Sequence, residues 1–249
     1  MTPSPTTWSD AGRLAVTTFT VWPLRTGELD RRAAGRAMSL APVVGALLGA
    51  VIGLATTVFR EVVPSALAGV IGVGLAALLT RGLHLDGTAD TVDALGSYRD
   101  RERALAVMKS PEVGPFGVAA LVVVVLIQAL SLAALPFASI VSAFAVGRLA
   151  VTVGCAGVPA ARPTGLGAFV AGSVRPVVAV TAALAVAALS LLAVPGRLWQ
   201  GPIAVAAALL AVLLLRFHVV RRLGGITGDV LGFLVEAATC VAMVALTMR

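Results

Sequence analysis

The stretch GVAALVVVVLIQALSLAAL, residues 117–135, runs for 19 positions without a charged side chain. As a helix rising about 1.5 Å per residue it would span about 30 Å, the hydrocarbon thickness of a bilayer. Six further stretches are apolar enough to span, near 39–59, 64–80, 137–158, 174–194, 201–219 and 230–248, the second of them short. Together they predict an all-α, polytopic integral membrane bundle of about seven transmembrane helices, forming a single domain over 1–249. Residues 11–24 are shorter and broken by polar positions, which predicts an interfacial or re-entrant N-terminal segment.

Composition agrees. The chain is 59% apolar and only 12% charged, with a mean hydropathy of +1.00, whereas soluble domains carry about 25% charged residues. A water-soluble fold is excluded. Small residues are abundant, as expected where helices pack in lipid by close backbone approach. Cys155 and Cys240 both lie in apolar runs and read as packed thiols; there is no Cys/His cluster of metal-site spacing. The polar, Pro-rich start at Met1–Asp10 lacks the pattern of a cleaved signal peptide.

The net charge of +7 is explained by topology rather than by a nucleic-acid partner. Fifteen Lys and Arg residues fall in the N-terminal region and in the loops 25–38, 81–116, 159–175 and 216–229. Only Arg60, Arg197 and Arg249 fall on the other side, and Arg148 lies within a span. By the positive-inside rule the N-terminus is cytoplasmic and, with seven spans, the C-terminus is outside.

The chemically dense segment is Leu83-His84-Leu85-Asp86-Gly87-Thr88-Ala89-Asp90-Thr91-Val92-Asp93-Ala94-Leu95-Gly96-Ser97. Asp86, Asp90 and Asp93, spaced by four and then three, share one helical face. Three carboxylates on one stripe repel each other, so the pattern suits a hard divalent cation such as Mg²⁺, which takes carboxylate and phosphate oxygens. Asp229 and Glu236, seven apart, share a face of the last span, and an ionisable residue inside a membrane is a functional candidate. Glu236 is expected to meet a metal, Arg148 or another buried arginine. Arg148, Arg162 and Lys109 are phosphate candidates, and His84 is placed to orient an aspartate or a phosphate. No Ser/His/Asp nucleophile, P-loop or dinucleotide fingerprint is present. The residues alone therefore predict a metal-dependent membrane transferase acting on phosphate esters.

At these positions the chain resembles the cobalamin synthase family, the adenosylcobinamide-GDP ribazoletransferases. The resemblance runs through Leu83–Ser97, Asp100-Arg101-Glu102-Arg103-Ala104-Leu105, Met108-Lys109-Ser110, Val113-Gly114-Pro115-Phe116-Gly117, Gly147-Arg148-Leu149 and Gly165-Leu166-Gly167. It ends in Gly224-Gly225-Ile226-Thr227-Gly228-Asp229-Val230-Leu231-Gly232 and includes an early Phe19-Thr20-Val21-Trp22-Pro23. It departs at Val235, before Glu236, where the family often has Asn, and at Ala94, where Gly is usual.

The resemblance implies transfer from adenosylcobinamide-GDP to α-ribazole or its 5′-phosphate, with release of GMP. The enzyme would be Mg²⁺-dependent, multi-pass in the cytoplasmic membrane, with its active site on the cytoplasmic side. Its partners would be those substrates and the lipid bilayer, with room left for a homo-oligomer. It implies Asp86, Asp90, Asp93 and Asp229 as metal ligands, with Asp86, Asp90, Asp93 and Glu236 catalytic. It implies His84, Lys109, Arg148 and Arg162 as substrate-binding. Two rivals are weighed against it. An Asp-rich prenyl or phospho-sugar transferase would carry the tighter Asp-Asp-x-x-Asp cluster, which is missing. An ion-coupled transporter would show an inverted repeat with interrupted helices, and none is visible.

Overall fold

The computed structural model describes residues 7–25, 30–98 and 100–248. Arg99 and Arg249, counted above in the charge asymmetry, lie outside them. The described chain is helical: α1 (Trp8–Phe19), α2 (Arg31–Arg60), α3 (Ser65–Leu79), α4 (Leu83–Gly96), α5 (Arg101–Val107), α6 (Pro115–Ala134), α7 (Phe137–Gly154), α8 (Leu166–Val170), α9 (Pro176–Ser190), α10 (Gln200–Leu223) and α11 (Gly228–Thr247).

Five of these, α2, α6, α7, α10 and α11, are long and apolar enough to cross a membrane. A sixth crossing arises if α3 and α4, set at 91° to each other, count as one broken span. By length and composition five or six pass, against an expected count of about seven, and two physical features account for the difference. The apolar run 174–194 holds a helix of only 15 residues, α9. It gives way to turns over residues 191–196, ending at Gly196 in a left-handed conformation (φ 77°). The run 64–80 stops because the chain turns there. Thr80 is the C-cap of α3, Arg81 takes a left-handed φ of 56°, and the Gly82 and Arg81 amides return to the Ala77 and Leu78 carbonyls at 2.8 and 3.2 Å. This is the Schellman pattern, with an arginine where glycine is usual. The Arg81 guanidinium is tied to the Thr17 carbonyl of α1 at 3.2 Å.

Packing is that of a protein in lipid. On α2 the large residues Val43, Leu47, Val51, Leu54 and Val58 are exposed on one face, while Ala41, Gly45, Gly49 and Gly53 are buried on the other. Large apolar side chains outside and small ones inside invert the soluble pattern. A Cβ added to Gly45 would meet the Phe144 carbonyl of α7 at 2.4 Å, so α2 and α7 touch backbone to backbone. α7 and α11 are mostly buried, whereas α6 and α10 face outward over most of their length.

Helix ends inside this bundle cannot rely on water, and side chains from other elements close them. Arg60 donates to the Leu132 and Leu135 carbonyls at the end of α6. Arg216 donates to Val153 and Ala156 after α7 at 2.8 and 3.1 Å. The Gln200 amide serves Ala245, Leu246 and Met248 at the end of α11.

The N-terminal expectation is met in form. α1 is an amphipathic 12-residue helix, too short to cross, with Ala11, Ala15 and Phe19 buried and Trp8 exposed beneath the Arg36 guanidinium. Thr7 and Asp10 form a capping box at its start. The Thr7 hydroxyl and amide hold the Asp10 carboxyl below its ordinary range.

Candidate active site

The break after α3 sets the geometry. α4 starts beside the interior of α11 and runs antiparallel to it. A Cβ on Gly232 would lie 3.1 Å from the His84 Cα, and one on Gly87 would lie 2.6 Å from the Asp229 carbonyl oxygen. The acidic face of α4 is thereby delivered to the N-terminal end of α11.

Asp86, Asp90 and Asp229 form one cluster. Asp86 is exposed, while Asp90 and Asp229 are half-buried. The charges of Asp86, Asp229 and Asp93 all act on Asp90, and Arg162 is the cation that offsets them. Arg162 Nη1 lies 3.9 Å from Asp229 Oδ2. Its Nη2 donates to the Leu105 carbonyl of α5 at 2.7 Å, and the Thr227 hydroxyl donates to Asp229 Oδ2 at 3.2 Å. The loop carrying Arg162 is pinned by backbone bonds: Ala161 N–H to Ile226 carbonyl at 2.9 Å and Ile226 N–H to Pro159 carbonyl at 3.0 Å. The Asp229 and Arg162 motifs, far apart in sequence, are thus stitched together locally. Among the described residues, no three His, Cys, Asp or Glu side chains close around a metal-sized point on their own.

Asp93 stands apart from this cluster in its contacts. Its two carboxylate oxygens accept the amides of Gly114 and Gly117, at 2.7 and 2.8 Å. It caps the first turn of α6 from another helix, where the orphan amides and the helix dipole favour an anion.

Deeper in the bundle lies a second polar group. Arg148 Nη2 is 3.4 Å from His84 Nδ1, and His84 Nδ1 is 3.9 Å from Glu236 Oε1. The Gln128 amide donates to Glu236 Oε2, and the Arg148 guanidinium sits over the Phe144 ring. All four are buried. Glu236 lies 3.9 Å from His84 Nδ1, accepts from the Gln128 amide and is near enough to feel the charge of Arg148. It follows Asp229 by two helical turns, about 10 Å along the axis, so it is not a member of the aspartate cluster. Lys109 is exposed on the turn after α5 and joins neither group.

Sequence reasoning missed Gln128 and Gly87. The signal for Gln128 was visible: an amide in an otherwise apolar span asks for a partner just as Glu236 does. Gly87 carried none, because only the facing helix makes its missing side chain matter.

A cleft of about 230 Å³ opens beside the cluster. Phe19, Met38, Leu83, Val151 and Leu231 form its apolar walls, and His84, Arg162, Thr227 and Asp229 also line it. The segments around Phe19, His84, Gly165–Gly167 and Ile226–Gly232, separate in the chain, converge here.

Comparison with known proteins gives the same grouping. No solved structure matches the chain. A protein of Frankia casuarinae named adenosylcobinamide-GDP ribazoletransferase is 44% identical over 95% of this chain and 94% of its own length. Proteins of the same name from a Nocardioides species and from Acinetobacter baumannii are 41% and 34% identical, over 96% and 84% of this chain and 99% and 85% of their own. The family model described as cobalamin-5-phosphate synthase matches residues 11–247, from α1 to the end of α11. The chain belongs to the cobalamin-5-phosphate synthase family.

Proposed function

We propose that the chain joins adenosylcobinamide-GDP to α-ribazole, or to α-ribazole 5′-phosphate, and releases GMP. The observation that carries this reading is the meeting of Asp86, Asp90 and Asp229 with Arg162 at one end of a membrane bundle. A ribose hydroxyl of the acceptor attacks the cobinamide-side phosphorus. An oxygen–phosphorus bond forms there. The bond to the bridging oxygen breaks, and that oxygen leaves with GMP. The hydroxyl proton passes to a carboxylate of the cluster.

The donor set suits Mg²⁺: hard carboxylate oxygens, too few to make a closed cage, with room for phosphate and water. When bound by Asp86, Asp90 and Asp229, Mg²⁺ supplies positive charge to the pyrophosphate. The chain's own groups do the rest. Arg162, braced against Leu105, holds Asp229 and faces the phosphates. Lys109, exposed on the turn after α5, offers a second cation. Asp93 fixes α6 to α4 by its two amide bonds. His84, Arg148, Glu236 and Gln128 hold the start of α4 in place and so set the height of the cluster. The arginine asymmetry supports a cytoplasmic position for this end of the bundle, in the cytoplasmic membrane.

The test is GMP release by purified, detergent-solubilised protein given adenosylcobinamide-GDP and α-ribazole, with Mg²⁺ or EDTA. Metal-dependent GMP formation that disappears in Asp90→Asn is the expected result. A folded wild-type protein that releases no GMP with any divalent metal overturns the reading.

A further inference from the structure

A second hollow lies away from the acidic cluster. A groove of about 570 Å³ runs between α2, α7 and α9. Small residues make its walls: Ala46 of α2, Ala138 and Ala145 of α7, Ala182 and Ala185 of α9. Val43, Phe137, Leu189 and Leu192 also line it and are exposed, so it opens sideways to the surrounding lipid. Two serines in the wall tie their hydroxyls into their own helices, Ser39 to the Gly35 carbonyl and Ser190 to the Ala187 carbonyl, each at 2.7 Å. The groove follows α7 from Phe137 to Ala145 and α9 from Ala182 to Ser190, about 12 Å along each helix. Half the hydrocarbon core is about 15 Å deep, so the groove has the length of one acyl chain in one leaflet.

Charge marks one end of it. Arg32 of α2 precedes Ser39 by seven residues, and Arg175, the N-cap of α9, precedes Ala182 by seven. Seven residues are close to two helical turns. Each arginine therefore stands on the groove-lining face of its own helix, about 10 Å beyond the lining. The headgroup layer adds about 5–8 Å on each side of the core, a gap that arginine side chains reach across. The two helix starts are also held together. A Cβ on Gly35 would fall 2.4 Å from the Ser173 carbonyl oxygen, and the Arg31 guanidinium donates to the Ala171 carbonyl. Arg31 is thereby engaged, whereas Arg32 and Arg175 are exposed and have no hydrogen-bond or ion-pair partner among the described residues. Asp30, the neighbouring acid, accepts the Ala33 amide at 2.6 Å. The first turn of α9 has no side-chain cap, so its positive end adds to the two guanidinium groups.

We propose that this groove seats one acyl chain of an anionic phospholipid, with the lipid phosphate between Arg32 and Arg175. A negative headgroup is favoured over a zwitterionic one because the two arginines lack an acid of their own and respond to net charge. The seat adjoins the turn after α8, and Leu166 and Gly167 of α8 line the cleft beside the aspartates. The bound lipid thus steadies that wall of the cleft from the membrane side.

The experiment titrates full-length, detergent-solubilised protein with dioleoyl phosphatidylglycerol or dioleoyl phosphatidylcholine, which share their chains, and counts retained lipids by native mass spectrometry. Wild type is expected to retain one phosphatidylglycerol about tenfold or more tightly than phosphatidylcholine, the attraction of two arginines. The double variant Arg32→Ala, Arg175→Ala should bring the two lipids to parity. Arg221→Ala, which removes an exposed arginine at the end of α10, should keep the preference. Ala185→Phe, on an exposed wall where a larger ring does not disturb the core, should lower retention of both lipids severalfold. Equal retention of the two lipids by wild type, or a preference that survives loss of both arginines, overturns the headgroup seat. A preference lost equally in Arg221→Ala reduces it to general surface charge and overturns it as well. Full retention in Ala185→Phe overturns the groove, as does a wild-type dimer that this variant turns into a monomer, which gives the groove to a second copy.

Discussion

Gly87 of α4 lies against the backbone of Asp229 so closely that a Cβ on it would fall 2.6 Å from the Asp229 carbonyl oxygen. Ordinary contact needs roughly 1 Å more, and a misplacement of about that size can lower a rate about 100-fold. Gly87→Val is therefore expected to reduce GMP release by about two orders of magnitude while the protein still extracts and elutes as a folded species. Activity within a few-fold of wild type would show that the two helices need not touch.

The aspartate cluster is self-repelling until a cation joins it. Asp86→Asn is expected to abolish metal-dependent turnover yet leave the metal-free protein as stable as wild type, or more stable by on the order of 0.5–1 kcal/mol. Thermal melting in EDTA and in Mg²⁺ checks this. Wild type should melt higher with Mg²⁺ and the variant should lose that gain; a gain equal in both removes Asp86 from the metal site.

Asp93 serves a helix end through two amide bonds. Asp93→Ala is expected to lower stability by about 0.5–2 kcal/mol, the usual loss for a cap. Asp93→Asn keeps one acceptor and should retain much of that stability together with part of the activity. An Asp93→Asn protein that is fully stable and has lost all Mg²⁺ response would make Asp93 a metal ligand instead.

Glu236 is held by Gln128 and lies near His84 in a buried group with Arg148. Removing one side of a buried charged group leaves the other unpaired, at about 3–5 kcal/mol. Glu236→Ala should therefore express poorly or melt far below wild type. Glu236→Gln, which keeps the shape and one acceptor oxygen, should be milder. Glu236→Ala that is stable but inactive would return Glu236 to direct catalysis.

Much of this architecture was legible in residue pattern, and the failures share a cause. Long apolar runs located α2, α6, α7, α10 and α11, because a bilayer imposes much the same length on them all. The same measure over-read 64–80 and 174–194. Hydropathy reports where a chain tolerates lipid, and says little about where its backbone turns, as it does at the left-handed Arg81 and in the turns leading to Gly196. At the site, helical spacing put Asp86, Asp90 and Asp93 on one face, and the structure keeps them on one helix. Spacing could not tell that Asp93 faces the start of α6 while its neighbours face Asp229, because the divider is the approach of another helix. Gln128 was overlooked because its span was read for what it lacked, charge, instead of for the one amide it contained.

The left-handed turn at Arg81 and Gly82 has a consequence for how such a molecule changes over time. It divides one crossing into two halves under different demands, with α3 answering to the lipid and α4 to the reaction. Drift in the sequence of α3 need satisfy greasiness and the close contacts at Gly69 and Gly72, whereas α4 must also hold the face that meets α11. A lineage moving to a membrane of different thickness could lengthen or shorten α3 alone, and the chemistry would travel with it unaltered.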